Sequence, residues 1–346
     1  MSHIRVGFTH GDINGIGLEM LIKTLSQPEM LELCTPVVFS EQSYFDITVK
    51  ALDLEEHLNY EAVTSVEEVR TGCLNIVNVC EPANSIEWGK QTEHALMAEA
   101  ASLNAALKAY ASGKIDVLLC CPGQLNNDLD HHHLSDFIRQ ALGVQKEEFD
   151  WIINGNLRLL KLHSIDFTTE LGEGIAIEAF MNDLMAISMQ LRQDFGFIRP
   201  RIAVLSQNQK LLADIKELRE NNVLVFGPFD AKSFIEAGNH THYDAVLFLE
   251  EEDSRHELIA SLTQEDTIGY VSGLPVILTY SLLPVSYDVS GKNMTDCSTM
   301  RQALYSAIDI YRNRRRYAEA VSHPLEKQWI PKGRDDFKLD LTSADE

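Results

Sequence analysis

The chain has 346 residues, and 29 lysines and arginines against 52 aspartates and glutamates give it a formal net charge of −23. This charge argues against nucleic acid and anionic membrane surfaces as partners, because their phosphate groups would meet a repulsive field. A hydrophobic fraction of 45% argues against a disordered chain, and the length is enough for two domains with proper cores.

The N-terminal segment and the cysteines predict a protein of the reducing cytoplasm. The first residues contain no apolar core followed by a cleavage site, so we expect no signal peptide. The most apolar stretch, residues 267–287, contains Gly273, Pro275 and Pro284. It therefore indicates buried strands and a turn rather than a membrane helix. The six cysteines have no metal-binding or redox spacing, and we expect buried thiols at Cys120 and Cys121, which are adjacent in an apolar run.

In the first third of the chain, short apolar runs alternate with a long helical pattern. Nearly continuous apolar character predicts buried parallel strands. These strands are expected at residues 4–9, 37–40, 74–79 and 115–121. A helix is expected over residues 92–112, because apolar residues recur there on one face, and Gly113 ends it. The residues of that face are Leu96, Leu103, Leu107 and Tyr110.

The same alternation continues towards the C-terminus and predicts an α/β protein with mainly parallel sheets. Strands are expected at residues 151–153, 157–163, 202–206, 223–227 and 244–249. Helices are expected at residues 175–193 and 211–220, and a closing helix is predicted to begin near Ser298. Residues 312–316, which include four arginines, are interpreted as a basic patch after that helix.

A glycine loop with the sequence THGDINGIGLE, residues 9–19, follows the first predicted strand and opens a helix. Glycines at this place let the backbone approach a ligand closely, and free N–H groups at a helix start favour anions. Asp12, Asn14 and Gly15 are therefore candidate substrate- or cofactor-binding residues. A tight strand-to-helix turn explains the same glycines, and the spacing lacks the G-x-G-x-x-G pattern of dinucleotide binding.

The glycine loop resembles the T-P-G-D-P-A-G-I-G-P-E segment of the 4-hydroxythreonine-4-phosphate dehydrogenase (PdxA) family. The resemblance continues along the whole chain with family motifs in the same order and spacing. Similar segments lie at residues 115–122, 156–165, 199–205, 226–228, 273–275 and 290–293. Because the agreement extends over the whole chain, we take our expectations about the fold and the activity from this family.

The resemblance implies an isocitrate/isopropylmalate-dehydrogenase-like fold with two α/β/α domains and an active-site cleft between them. The first domain would comprise residues 1–122 and 273–346, and the second residues 123–272. The family works as a homodimer and oxidises 4-hydroxythreonine 4-phosphate with NAD on the route to pyridoxal phosphate (vitamin B6). A divalent metal (Zn, Mg or Co), held by three histidines, polarises the developing carbonyl.

The positions that match the three metal-binding histidines are only partly filled by suitable side chains. The second histidine aligns with His163, at the end of a predicted strand. The first aligns with Leu134, and His133 is one position away, where a solvated loop is the alternative interpretation. The third aligns with Glu251; a carboxylate also binds divalent ions, but the acidic run around it also fits a solvated edge.

The positions that match the family's anion-binding residues have lost most of their charge. A lysine is replaced by Leu125 and an arginine by Leu278, while Arg158 and Lys292 match family positions and remain candidate binding residues. A phosphate monoester carries nearly two negative charges, and each charge-assisted hydrogen bond to it is worth about 1.5–3 kcal/mol. We therefore expect the lost contacts to weaken the binding of such a substrate by orders of magnitude.

Two functional hypotheses follow from these residues. In the first, the chain is a divergent dehydrogenase that oxidises a less anionic hydroxy acid with NAD and a metal held by His163, Glu251 and His133. In the second, it is a non-catalytic paralogue, a pseudoenzyme, that keeps the fold and acts as a binding or partner subunit. The lost contacts favour loss of the original activity.

Overall fold

The described part of the chain is built around one sheet of twelve β-strands. The structure is a computed structural model, and residues outside the following ranges are not described. The described residues are 3–54, 58–126, 132–143, 149–161, 170–206, 208, 211–220, 222–249 and 266–322. Within these ranges, the side chains of a few residues, among them His133, are also not described. The mixed α/β class expected from the sequence is confirmed.

One half of the sheet contains six parallel strands in the order β3-β4-β2-β1-β5-β12. β2, β5 and β12 are buried at every position, which explains why they are apolar without alternation. The bounds are β1 (Ile4–Thr9), β2 (Cys34–Ser40), β3 (Tyr60–Val63), β4 (Leu74–Asn78), β5 (Val117–Cys120) and β12 (Ile277–Ser281).

The other half continues the same sheet in the order β11-β6-β7-β10-β8-β9. β11 and β6 pair antiparallel with their neighbours, whereas β7, β10, β8 and β9 are parallel to one another. The bounds are β6 (Phe149–Asn154), β7 (Leu157–Lys161), β8 (Arg201–Leu205), β9 (Leu224–Phe229), β10 (Ala245–Phe248) and β11 (Ile268–Ser272). The two domain ranges proposed from the sequence stay a prediction.

Helices connect most of the parallel strands. In chain order they are α1 (Gly17–Leu25), α2 (Pro28–Leu33), α3 (Gln42–Ala51), α4 (Glu93–Ala111), α5 (His132–Leu142), α6 (Glu170–Phe195), α7 (Leu212–Glu220), α8 (Ala231–Glu236) and α9 (Ser298–Ser322). None of the helices in the described ranges combines the length and the apolar character needed to cross a membrane.

The closing helix is longer than predicted. α9 includes residues 312–316, which were expected to follow the helix, so that interpretation is wrong. The segment 298–322 contains neither glycine nor proline, and no helix-breaking residue occurs before Pro324. The prediction for α4 differs from the structure by only one residue at each end, and Thr92 caps it by accepting a hydrogen bond from Ala95 N at 3.2 Å.

Hydrophobic side chains cover both faces of the sheet in separate clusters. On β5, Val117 and Leu119 belong to one cluster, and Leu118 and Cys120 belong to the other. Because successive side chains of a strand point to opposite faces, the two clusters lie on opposite sides of the sheet. α9 contributes to the first cluster and α5 to the second.

A buried ionic cluster, here called the arginine clamp, joins α9 to α6 and β11. It consists of Asp194, Tyr270 and Arg314. Arg314 Nε donates to Asp194 Oδ1 at 2.7 Å, and an Arg314 terminal nitrogen donates to the Tyr270 hydroxyl at 2.9 Å. That hydroxyl donates to Asp194 Oδ2 at 2.5 Å. The Asp194 carboxylate is thus held in the interior by a guanidinium and a hydroxyl group. The hydroxyl belongs to β11, the strand at which the two halves of the sheet join.

Candidate functional site

The order of the strands marks one edge of the sheet as a candidate site. The chain leaves β1 for β2 on one side, and returns through α4 to β5 on the other side. In open α/β sheets, ligands bind at such a reversal, beyond the carboxyl ends of the strands. β1 and β5 end side by side, with Thr9 aligned with Cys120. The glycine loop follows β1 and therefore lies at this edge.

The glycines of the loop allow it to pack against its own chain. Gly11 has a φ of +68°, and a Cβ there would lie 2.1 Å from the carbonyl oxygen of Pro122, just after β5. A Cβ at Gly15 would lie 2.3 Å from the Val285 side chain. These distances are too short for any side chain, so a tight turn packed against neighbouring loops accounts for the glycines without a ligand.

Backbone N–H groups of the loop already have partners. Asn14 N donates to Asp12 Oδ1 at 2.8 Å, and Gly15 N donates to the Asp12 carbonyl oxygen at 3.0 Å. Ile16 N donates to the carbonyl oxygen of Val285 at 3.1 Å. Asp12 thus holds the backbone of the loop that leads into α1.

Asp12 and Asn14 are both held by side-chain contacts within the chain. Asp12 is fully buried, and its Oδ2 accepts hydrogen bonds from Gln124 Nε2 at 2.7 Å and from the Tyr287 hydroxyl at 2.5 Å. Asn14 Nδ2 donates to the Lys90 carbonyl oxygen and to Thr92 Oγ1, each at 3.0 Å. The predicted ligand-binding role of these two residues remains a prediction, and the contacts show that both hold the loops together.

A second buried carboxyl group, Glu99 on α4, lies beside this network. Its two oxygens accept hydrogen bonds from the backbone N–H groups of Gln124, at 2.8 Å, and of Leu125, at 3.2 Å. Burial, and to a smaller extent the nearby Asp12, raises the pKa of Glu99 from 4.5 to about 7. We call Asp12 and Glu99 the acid pair; Gln124 donates to both carboxyl groups.

The sequence analysis missed Glu99, Gln124 and Tyr287. One signal was available for Glu99, because it lies four residues before Leu103 and therefore on the apolar face predicted for the helix. An acidic residue on such a face is a candidate for a buried, perturbed carboxyl group. Gln124 and Tyr287 lie in loops, where the sequence has no periodicity that would bring them to Asp12.

His10, between β1 and the acid pair, is a neutral residue. It is fully buried, and its Nδ1 donates to the Gly11 carbonyl oxygen at 2.7 Å. Burial lowers its pKa from 6.5 to about 4. The thiol of Cys80 lies 3.7 Å from Nε2, and burial raises the pKa of this thiol to about 12. Both groups are therefore uncharged near neutral pH, and they do not form a thiolate–imidazolium pair.

Several positions that match charged or metal-binding residues of the resembled family are leucines in one hydrophobic cluster. Leu134 is 2% exposed and Leu278 is 0% exposed. Leu125 and Leu282 are partly buried and pack against the same cluster. We call these four residues the leucine cluster. Apolar surface thus fills positions at which the family resemblance implies a histidine (Leu134), an arginine (Leu278), a lysine (Leu125) and the aspartate of a D-H-G motif (Leu282).

Arg158 lies away from the glycine loop, whereas Lys292 lies on the segment that follows Tyr287, which contacts Asp12. Arg158 lies near the start of β7. This strand is five positions from β1 in the sheet, which corresponds to about 24 Å measured across the strands. Its guanidinium lies over the rings of Phe195 and Phe197, 4.6 and 5.0 Å from their centres. Lys292 is exposed, and its Nζ donates to the Asp288 carbonyl oxygen at 2.6 Å.

The predicted metal ligands fall largely outside the described residues. His163 and Glu251 are not described, and only the backbone of His133 is described, in the first turn of α5. Among the side chains that are described, no group of three His, Cys, Asp or Glu residues is arranged to hold a metal ion. The three-residue metal site therefore stays a prediction.

Comparisons with known sequences identify relatives along the whole chain. The family model described as "Pyridoxal phosphate biosynthetic protein PdxA" matches residues 32–307. The chain is 33% identical to a 4-hydroxythreonine-4-phosphate dehydrogenase of Bacteroides thetaiotaomicron, over 99% of this chain and 98% of the relative. It is 23% identical to a D-threonate 4-phosphate dehydrogenase of Cupriavidus necator, over 88% of this chain and 96% of the relative.

Solved structures of similar fold include two named 4-hydroxythreonine-4-phosphate dehydrogenase. The protein from Burkholderia phymatum matches with a TM-score of 0.65 at 22% identity, over 90% of this chain and 99% of that chain. The protein from Klebsiella pneumoniae matches with a TM-score of 0.65 at 18% identity, over 90% and 100%. At these identities the likeness concerns the fold.

Proposed function

The chain belongs to the PdxA family, a family of oxidoreductases, and from this premise we propose that it is a paralogue that does not oxidise 4-hydroxythreonine 4-phosphate. It keeps the family's fold and acts as a binding or partner subunit, as a cytoplasmic homodimer. The single observation that carries this proposal is the leucine cluster. Function resides in the residues of a site, and a fold persists after those residues change.

The energetic argument concerns the phosphate group of the family's substrate. Leu125 and Leu278 stand where the resemblance implies a lysine and an arginine. Two lost charge-assisted hydrogen bonds weaken binding by about 3–6 kcal/mol, or about a hundredfold to more than ten-thousandfold. A dianion placed against buried leucines would also lose its hydration without new partners. Phosphorylated substrates therefore do not suit this surface.

The acid pair supports the same conclusion. Asp12 and Glu99 bring carboxyl groups to the reversal edge, and their described hydrogen-bond donors are amides and one phenol hydroxyl. A formal charge of −23 over the chain adds no attraction for an anion. The described donors of this edge therefore offer no cation to a phosphate or a dinucleotide.

A second candidate function is a dehydrogenase with a rearranged metal site, and the strand register favours it. β7 and β10 are parallel neighbours, with Lys161 aligned with Phe248. His163 follows Lys161 by two residues, and Glu251 follows Phe248 by three. Histidine and carboxylate ligands suit Zn, Mg or Co to different degrees. A metal bound by these residues and His133 would polarise the oxygen of a hydroxy acid during oxidation by NAD.

Metal content and ligand-induced stabilisation test the proposal against this alternative. Purified protein, dialysed against Zn, Mg or Co, is expected to hold less than about 0.1 equivalent of metal and to show no change in Tm with saturating NAD or substrate. A ligand at a hundred times its Kd would add about 2.7 kcal/mol to the free energy of unfolding. Stoichiometric metal that is lost in His163→Ala, together with stabilisation by NAD, would instead establish the dehydrogenase.

A further inference from the structure

A cavity of about 420 Å³ lies at the edge of the sheet opposite the candidate site. It is bounded by the start of β1, the end of α2 and the second half of α9. β1 begins at Ile4, which lines the cavity, and ends at Thr9, about 17 Å away at the glycine loop. This volume is within the range typical of pockets for small ligands.

The arginine run of α9 divides between the interior and this cavity. Arg312, Arg315 and Arg316 line the cavity, whereas Arg314 turns into the arginine clamp. Helical geometry explains the division, because residues i, i+3 and i+4 share a face and residue i+2 lies on the other side. Three guanidinium groups therefore meet at one surface of a strongly acidic protein.

These guanidinium groups are available to a ligand. Arg312 and Arg315 have nitrogens 3.7 Å from Asp309 and Glu319 on the same helix, and all four side chains are about half exposed or more. Exposed pairs of this kind are weak. Arg316 has no ion pair with a described residue, and His3 and Glu32 complete the charged rim. Three arginines and two glutamates line the cavity, and the third acidic residue nearby, Asp309, is 71% exposed beside Arg312.

The floor of the cavity is apolar. Ile4 is 8% exposed, and Leu33 and the ring of Tyr311 are partly buried beside it. The Tyr311 hydroxyl donates to Asp116 Oδ1 at 3.2 Å, which fixes the ring in place. A ligand that fills this cavity would place an apolar group on the floor and an oxyanion among the arginines.

We propose that this cavity binds a small organic oxyanion, a carboxylate or a phosphate monoester that carries an apolar group. Guanidinium groups recognise both kinds of oxyanion by paired hydrogen bonds. The site is separate from the acid pair, which lies at the other end of β1. Its occupation therefore does not depend on whether the chain is a dehydrogenase.

Calorimetric titration with four probes tests this proposal. Phenyl phosphate and benzoate carry both parts of the expected ligand, inorganic phosphate carries only the oxyanion, and benzyl alcohol carries only the apolar part. We expect phenyl phosphate or benzoate to bind at least about tenfold more tightly than either partial probe, a difference of about 1.4 kcal/mol. The probe that binds better identifies the phosphate or the carboxylate as the preferred group.

Matched variants locate the binding. Arg312→Gln/Arg316→Gln, two changes at exposed positions, should weaken binding at least about tenfold. Arg70→Gln removes one exposed arginine at a distant place, where it pairs with Glu61, and should leave the affinity unchanged. The proposal is overturned if neither full probe binds, if a partial probe binds as tightly, if the double variant binds like the wild type, or if Arg70→Gln weakens binding equally.

Discussion

Two buried clusters hold carboxyl groups in opposite electrostatic surroundings. In the arginine clamp, Asp194 is 1% exposed and contacts the guanidinium of Arg314. In the acid pair, Asp12 is 0% exposed and Glu99 is 5% exposed, and the described donors to both are uncharged. The charge of the first cluster is balanced inside the protein, and the charge of the second is not.

The difference shows that the first cluster holds secondary-structure elements together, whereas the second cluster can take up a proton when the pH changes. A buried carboxylate with a guanidinium partner is a structural element whose removal leaves an unpaired charge. A buried carboxyl group held only by neutral donors is more easily protonated, and Glu99 accordingly has a pKa of about 7. The balanced cluster joins the helices and strands, and the unbalanced cluster lies at the edge where α/β proteins bind ligands.

The largest expected effect comes from breaking the arginine clamp. Arg314→Met leaves the Asp194 carboxylate buried without its cation, and we expect the free energy of unfolding to fall by about 3–5 kcal/mol. Thermal or urea unfolding at pH 7 measures this loss. Arg315→Met, an exposed neighbour on the same helix, is the matched control and should change stability little.

The double variant Asp194→Leu/Arg314→Met sharpens the test of the clamp. It removes both charges together, so most of the stability lost in Arg314→Met should return. A clamp that matters only through packing would give a double variant no more stable than the single one. That result would remove the electrostatic contrast between the two clusters.

The next effect is a pH dependence that belongs to the acid pair. The pKa of Glu99 is raised by folding, so the folded state binds more protons than the unfolded state between about pH 4.5 and 7. The stability that Glu99 contributes is complete at low pH and is lost as the pH rises through 7. From pH 5.5 to 8, the wild type should lose about 2 kcal/mol relative to Glu99→Gln.

His10 has the opposite dependence and hides this effect in the wild type. Its pKa falls from 6.5 to about 4 on folding, so its contribution is present above pH 6.5 and is lost as the pH falls towards 4. Comparison with Glu99→Gln isolates the Glu99 contribution, because His10 is common to both proteins. Glu217→Gln, at an exposed position on α7, is the control, and an equal slope in both variants would contradict the assignment to Glu99.

The smallest expected effect concerns the hydroxyl that closes the acid pair. Tyr287→Phe removes one donor to Asp12 while Gln124 Nε2 and Asn14 N keep the carboxylate hydrogen-bonded. We expect a loss of about 1–2 kcal/mol in the free energy of unfolding. Tyr305→Phe, at a position that is 39% exposed, should be neutral. A Tyr287→Phe protein as stable as the wild type would show that the hydroxyl does not hold the loop.

The fold was largely predictable because its signals are local. Apolar runs located β1, β5 and β12, and a helical period with a Thr92 cap located α4. Where a local signal was absent, the prediction stopped too early, as at residues 312–316, which belong to α9. The four arginines of that segment were interpreted as a surface patch outside the helix. The segment contains no glycine or proline, so nothing in the sequence indicated that the helix ends before it.

The site was less predictable because its contacts join distant parts of the chain. Gln124 is 112 residues from Asp12, and Tyr287 is 275 residues from it. The periodicity of a sequence does not indicate which distant loops are in contact in the folded protein. The resemblance to a family identified the leucines at positions of expected charge, and the structure adds that Leu134 and Leu278 are buried in one hydrophobic cluster.

The formation of NADH from 4-hydroxythreonine 4-phosphate tests the proposed loss of activity most directly. The assay contains purified protein, NAD and each of Zn, Mg and Co in turn, with the Bacteroides thetaiotaomicron relative as the parallel sample. We predict that the relative, if it has the activity of its name, produces NADH while this protein stays at the background rate at every substrate concentration. NADH formation by this protein that saturates with substrate and disappears on removal of the metal would contradict the account.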